Sequence, residues 1–184
     1  MPFFVLTLKQ SNVNRPQWRA IVLFLLIGWM ILMIARTREY DLQAKGIDEV
    51  LSRMEPKNRA LSLIFDSTPE TNIAPVFLHF PSWYSAKKQG VVDVSFALFH
   101  PELVAYKESA IPSVGIGYEW DPQTFNWRGW GADKYRYFVV HAPFDFGASL
   151  AYGSPCQIYF VTRSENWWLY ERDSKCNPTL RLPD

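Results

Sequence analysis

The sequence predicts an α/β or α+β domain, a mixed-sheet sandwich ending in a β-hairpin, carried behind one N-terminal transmembrane helix. Three observations lead there. Residues Ala20 to Ala35, AIVLFLLIGWMILMIA, contain no charge, and Arg19 closes them on one side, Arg36 and Arg38 on the other. The apolar residues then take a helical period over Glu39 to Met54. After Pro56 the pattern changes again, to short apolar runs separated by Pro, Gly, Asn and Asp, the punctuation of strands and turns. Residues 1–19 read as a tail, 20–36 as the membrane helix, 37–56 as an amphipathic linker helix, 57–176 as a soluble domain and 177–184 as a loose tail.

A bilayer core of about 30 Å needs roughly 20 apolar residues at 1.5 Å each. Ala20 to Ala35 is slightly short, but Trp18 suits the headgroup level, and Arg19 and Arg36 can extend their charges outward along apolar stems. A buried core helix of a domain this small would carry a polar face, which this stretch lacks. A cleaved signal peptide would want small residues in an A-x-A-like pattern, and Met33 stands two positions before Ala35. Basic residues nearly balance across the span, Lys9, Arg15 and Arg19 before it against Arg36, Arg38, Lys45 and Arg53 after it. Orientation therefore leans on the cysteines, by which the soluble domain is expected outside the cytoplasm; the membrane itself is expected to be the inner (plasma) membrane.

Lys plus Arg number 19 and Asp plus Glu 18, with no basic stripe, which argues against a nucleic-acid partner. Past the membrane segment, Ile47, Val50, Leu51 and Met54 fall at i, i+3, i+4 and i+7 on one helical face. That face is expected to be buried against the sheet that contains Leu61, Leu63 and Phe65, with Gly46 a plain interior glycine and Pro56 the stop. Arg59 to Phe65 and Val76 to Phe80 read as strands, Pro81 to Lys88 as a short helix ended by Gly90, and Val91 to Phe99 as a third strand. Ser109 to Asp133, with Pro112, Gly115, Gly117, Pro122, Gly129 and Gly131, reads as a long connection. Tyr135 to His141 reads as a strand. Cys156 to Thr162 and Trp167 to Arg172 read as a hairpin around the four-residue turn Arg163 to Asn166.

The run NRALSLIFD, then VFLHFPSWYSAKKQGVVDVSFA, YRYFVVHAP and QIYFVTRSENWWLYER, resembles the extracytoplasmic C-terminal part of multi-pass bacterial envelope or exopolysaccharide membrane proteins of the GT-C glycosyltransferase-like kind. The resemblance would cover roughly Ile21 to Arg172. It implies an accessory or binding module of envelope glycan assembly. The alternative it implies is a truncated or split part of such a transferase, active only with a multi-span partner. The multi-span part that carries the acidic catalytic residues of that family has no counterpart here, so no catalytic residue carries over. The expected partners are the lipid bilayer and either a glycan or a multi-span membrane protein.

The residues themselves offer few sites. Tyr118, Trp120, Trp127, Arg128 and Trp130 can form a recognition surface, the rings stacking on sugars and Arg128 holding an acidic group, or the rings can lie down on the core. Asp66 follows the first strand, where ligands gather in α/β sheets, and Asp93 or Glu119 can complete a carboxylate pair with it. His79, His100 and His141 are single histidines in or near strands, the first a binding candidate and all three more at home as structural residues. Spacing suits neither a metal site nor a dinucleotide fingerprint, so no cofactor is expected. Cys156 and Cys176 bracket the hairpin. Pairing outward from its turn sets Cys156 opposite about Asp173, within reach of a disulfide in an oxidising compartment, with two unpaired thiols the alternative.

Overall fold

The structure is a computed structural model and describes residues 15–68, 74–93, 111, 114–115 and 117–176. The element order is α1 (Arg15–Arg53), β1 (Arg59–Ile64), a 3-10 helix (Val76–Ser82) running into α2 (Trp83–Lys88), and β2 (Val91–Val92). Three 3-10 turns follow at Tyr118–Trp120, Pro122–Thr124 and Ala132–Lys134, then β3 (Tyr137–His141), α3 (Gly147–Ala151), β4 (Ile158–Ser164) and β5 (Trp167–Arg172). The chain divides into two units, Met1–Glu39 and Tyr40–Asp184.

In the first unit α1 carries the uncharged stretch. It is the one helix among the described residues long and apolar enough to cross a membrane. Large apolar side chains from Ile21 to Ile34 are open to solvent on every side of it.

The second unit is built on a five-stranded mixed sheet in the order β2-β1-β3-β5-β4. β1 pairs in parallel with both β2 and β3, while β5 is antiparallel to β3 and β4. β4 and β5 are joined through Glu165 and Asn166 alone. Glu165 takes φ 52° at the first position of that turn, so the connection is two residues long, not four. Both faces of the sheet are covered. On one lie Ile47, Val50, Leu51 and Met54 of α1 with Phe77, Leu78 and Tyr84, packed on Ala60, Ile64, Tyr137, Val139, Trp167 and Leu169. On the other, the 3-10 turns and α3 bring Tyr118, Trp127, Ala132 and Leu150 onto Leu61, Leu63, Phe138, Val140, Trp168 and Tyr170.

The apolar stripe of α1 is buried against the sheet that contains Leu61 and Leu63, as expected. Its neighbours there are Ala60 and Ile64, while Leu61 and Leu63 face the opposite layer and Phe65 packs with that opposite layer too. Every residue from Ala60 to Ile64 is buried, so the strand shows no polar side by which to choose its face. Val76 to Phe80 is 3-10 helix and not strand. Pro75 and Pro81 flank it, and Phe77, Leu78, Pro81 and Tyr84 are the residues buried, which is helical spacing. Of the strand expected over Val91 to Phe99, Val91 to Asp93 are described, and Val91 and Val92 are strand; residues 94–100, the neighbouring Pro101 to Tyr106, and the tail from Asn177 lie outside the described residues.

Gly46 also needs correction. A β-carbon there would stand 2.5 Å from the Ser164 carbonyl oxygen and 2.9 Å from the Trp167 ring. The helix backbone and the hairpin touch at this point, and Trp167 Nε1–H donates to the Gln43 carbonyl at 3.3 Å beside it. Gly46→Ala is therefore expected to be destabilising, by about 1–3 kcal/mol as for an overpacked core, despite alanine's better helix propensity. Chemical unfolding of the full chain in detergent micelles checks this; a midpoint unchanged or raised would mean that helix and hairpin are not in contact.

Candidate functional site

The aromatic connection is core before it is surface. Trp127 is 7% exposed, and its Nε1–H donates to the Leu150 carbonyl at 2.7 Å. Tyr118 is buried, sets its ring edge to face against Trp130 at 5.2 Å, and brings its hydroxyl within 3.3 Å of the Ser62 hydroxyl. Phe125 stacks edge to face on Trp127, Trp130 and Phe138 and ties the rings together. Trp120, 62% exposed, and Arg128 remain open to a ligand. The expected recognition surface thus shrinks from five residues to two.

The carboxylates expected as a pair are separated by β1. Asp93 is buried and accepts from the Arg59 guanidinium at 3.2 Å, beside the first residue of the strand. Asp66 lies two residues past its last. A six-residue strand is about 20 Å long, and carboxylates that share acid–base work sit about 5–9.5 Å apart. Glu119 is half-buried within the turn Tyr118–Trp120. His79 is exposed, on the outer side of the 3-10 helix.

What the topology does bring together lies at the carboxyl ends of the parallel strands β1 and β3. Asp66 follows β1, and His141 closes β3 directly beside it, where Phe65 N–H donates to the His141 carbonyl at 2.9 Å. There a cleft of about 310 Å³ opens. Asp66, Phe77 and His141 line it from the sheet side, Leu42 and Gln43 from α1, and Glu165 and Asn166 from the β4–β5 turn. Crevices at the carboxyl ends of parallel strands are where ligands bind in α/β sheets, because the loops diverge there.

His141 is the organising residue of the cleft. It is 2% exposed, and its ring lies between Trp167, 4.2 Å away, and Phe77, 4.7 Å away. Its Nδ1 stands 2.6 Å from the Asp66 carbonyl oxygen. A carbonyl can only accept, so Nδ1 carries the proton and Nε2 is left with its lone pair. Burial pushes the imidazole below its ordinary value of 6.5, and the Asp66 carbonyl and carboxylate pull the other way with less effect. The ring is accordingly neutral near pH 7. The Asp66 and Glu165 carboxylates are acceptors as well. Among the described residues no Lys or Arg lines the cleft, and no group of three or more His, Cys, Asp or Glu is placed to hold a metal ion.

A second hollow, of about 290 Å³, lies between α1 and α2, and in it Lys87 pairs with Asp48 at 2.5 Å and lies over the Trp83 ring. Local sequence missed His141 as a site residue because its partner is Asp66, 75 positions away. The available signal was that two apolar runs, LSLIFD and YFVVH, each end on a polar group. No protein-family model, curated protein or solved structure matches this chain.

Proposed function

We propose that this chain is a single-pass membrane protein whose domain beyond Glu39 stands outside the cytoplasm as an accessory or binding module of bacterial envelope glycan assembly. The observation that carries the membrane part is the uncharged stretch from Ala20 to Ala35, helical and covered on no side within its unit. In water such a helix would expose far more contiguous apolar surface than soluble proteins tolerate, and lipid removes that cost. The side of the membrane is supported by the Cys156–Cys176 bridge, since disulfides form and persist where the compartment is oxidising. The glycan role rests on the resemblance of the strand and hairpin motifs to envelope glycan proteins, with Trp120 and Arg128 as the exposed stacking and charged groups.

Topology tests this directly. A reporter active only outside the cytoplasm, fused after Asp184, is expected to be active, and a reporter fluorescent only in the cytoplasm is expected to be dark at the same position. The opposite pair of results overturns the orientation. Release of the intact fusion from washed membranes by alkaline carbonate would remove the anchor itself.

A further inference from the structure

We propose that the cleft at the carboxyl ends of β1 and β3 is a binding site for an organic cation bearing N–H donors, an ammonium or guanidinium group. The argument is a count of donors and acceptors. His141 is almost wholly buried, yet its Nε2 has no hydrogen-bond partner among the described residues and is not sealed from solvent. A buried polar nitrogen normally has a partner, and this one needs a donor. The carboxylates of Asp66 and Glu165 line the same cleft and are also acceptors. Among the described residues no basic side chain lines it to neutralise them.

An anionic ligand would meet two negative charges and a lone pair. A neutral hydroxyl would satisfy His141 but leave the carboxylates uncompensated. A cation with two or more N–H groups satisfies all three at once, through charge-assisted bonds that a neutral donor cannot match. Phe77 and Leu42, which also line the cleft, give an alkyl stem or ring apolar surface to lie on. The position of the His141 ring is fixed beforehand by the Asp66 carbonyl and by the rings of Trp167 and Phe77, so binding orders little that is not already ordered.

The test uses the full chain in nanodiscs of zwitterionic lipid, followed by nuclear magnetic resonance of the His141 ring and the Trp167 indole. The probes are agmatine, glucosamine and N-acetylglucosamine. Saturable shifts with agmatine or glucosamine, and none with N-acetylglucosamine, are expected. A response to glucosamine alone assigns the cation to an amino sugar, and a response to agmatine alone assigns it to a guanidinium group. Only the amino-sugar arm draws on the glycan reading, so the failure of that reading and the failure of this one are distinguishable. Glu165→Gln, at an exposed turn position where folding is not at stake, and Asp66→Asn are each expected to weaken the cation by about tenfold or more. Equal binding of glucosamine and its acetylated form, no saturable shift with either cation, or unchanged affinity in both carboxamide variants overturns the proposal.

Discussion

Leu51→Asp is expected to abolish the folded state of the domain, and Leu51→Ala to lower its stability by about 2–5 kcal/mol, the range for emptying a core site. Leu51 is 2% exposed and stands with Ile47, Val50 and Met54 over the sheet face formed by Ala60, Ile64, Tyr137 and Val139. An aspartate there would be a buried charge, and Lys87 and Lys88, the nearest bases on α2, are already engaged by Asp48 and by the Ser52 and Met54 carbonyls. The helical signal of the membrane segment would survive in micelles, so far-ultraviolet dichroism understates the loss. Near-ultraviolet dichroism of the buried Trp167, with the unfolding midpoint, is the better readout. Glu49→Ala, on the exposed side of the same helix, is expected to stay within about 0.5 kcal/mol and serves as control. An unchanged midpoint in Leu51→Asp would mean that this stripe does not face the sheet.

The stripe on α1 was legible because a helix that buries one face repeats its apolar residues every three or four positions, and Pro56 marks where it must stop. The sheet face beneath it was not. β1 is buried on both sides, and without alternation a strand looks the same after a one-residue slip. Val76 to Phe80 shows a related ambiguity: five residues, four of them apolar, are too few to reveal a period by themselves, and the helical spacing emerges only when Pro81 and Tyr84 are added. Gly46 and the cleft fail for a deeper reason. Their partners, Ser164 and Trp167 in one case and Asp66 and His141 in the other, meet only through strand order, and local pattern carries no record of which strands become neighbours. The aromatic connection was legible in content but not in direction. Trp127 and Trp120 look alike in the sequence, and one is core while the other is surface.

Removing the bridge is expected to lower stability by about 3 kcal/mol, through the unfolded chain more than through lost contacts. Cys156 and Cys176 are joined with their Cα atoms 5.7 Å apart and 20 residues between them in sequence. A closed loop of that size removes an amount of unfolded-state entropy corresponding to roughly that energy. The loop holds β4, its turn and β5, so the bridge staples the two open ends of the hairpin. β4 is an edge strand, held along one side by β5 alone. The ends are also held without the bridge. Asp173 N–H donates to the Gln157 carbonyl at 2.9 Å, and the Arg172 guanidinium donates to the Tyr135 and Cys176 carbonyls at 2.9 and 3.0 Å. The double variant Cys156→Ala, Cys176→Ala should therefore still fold, at a lower denaturant midpoint. The parent chain should fall to nearly the same midpoint when reductant is added, and the variant should not respond to reductant at all. If the parent chain too is indifferent to reductant, and its mass under non-reducing conditions shows two free thiols, the bridge is absent from the protein as made. The outward orientation of the domain then loses the residue pair on which it leans.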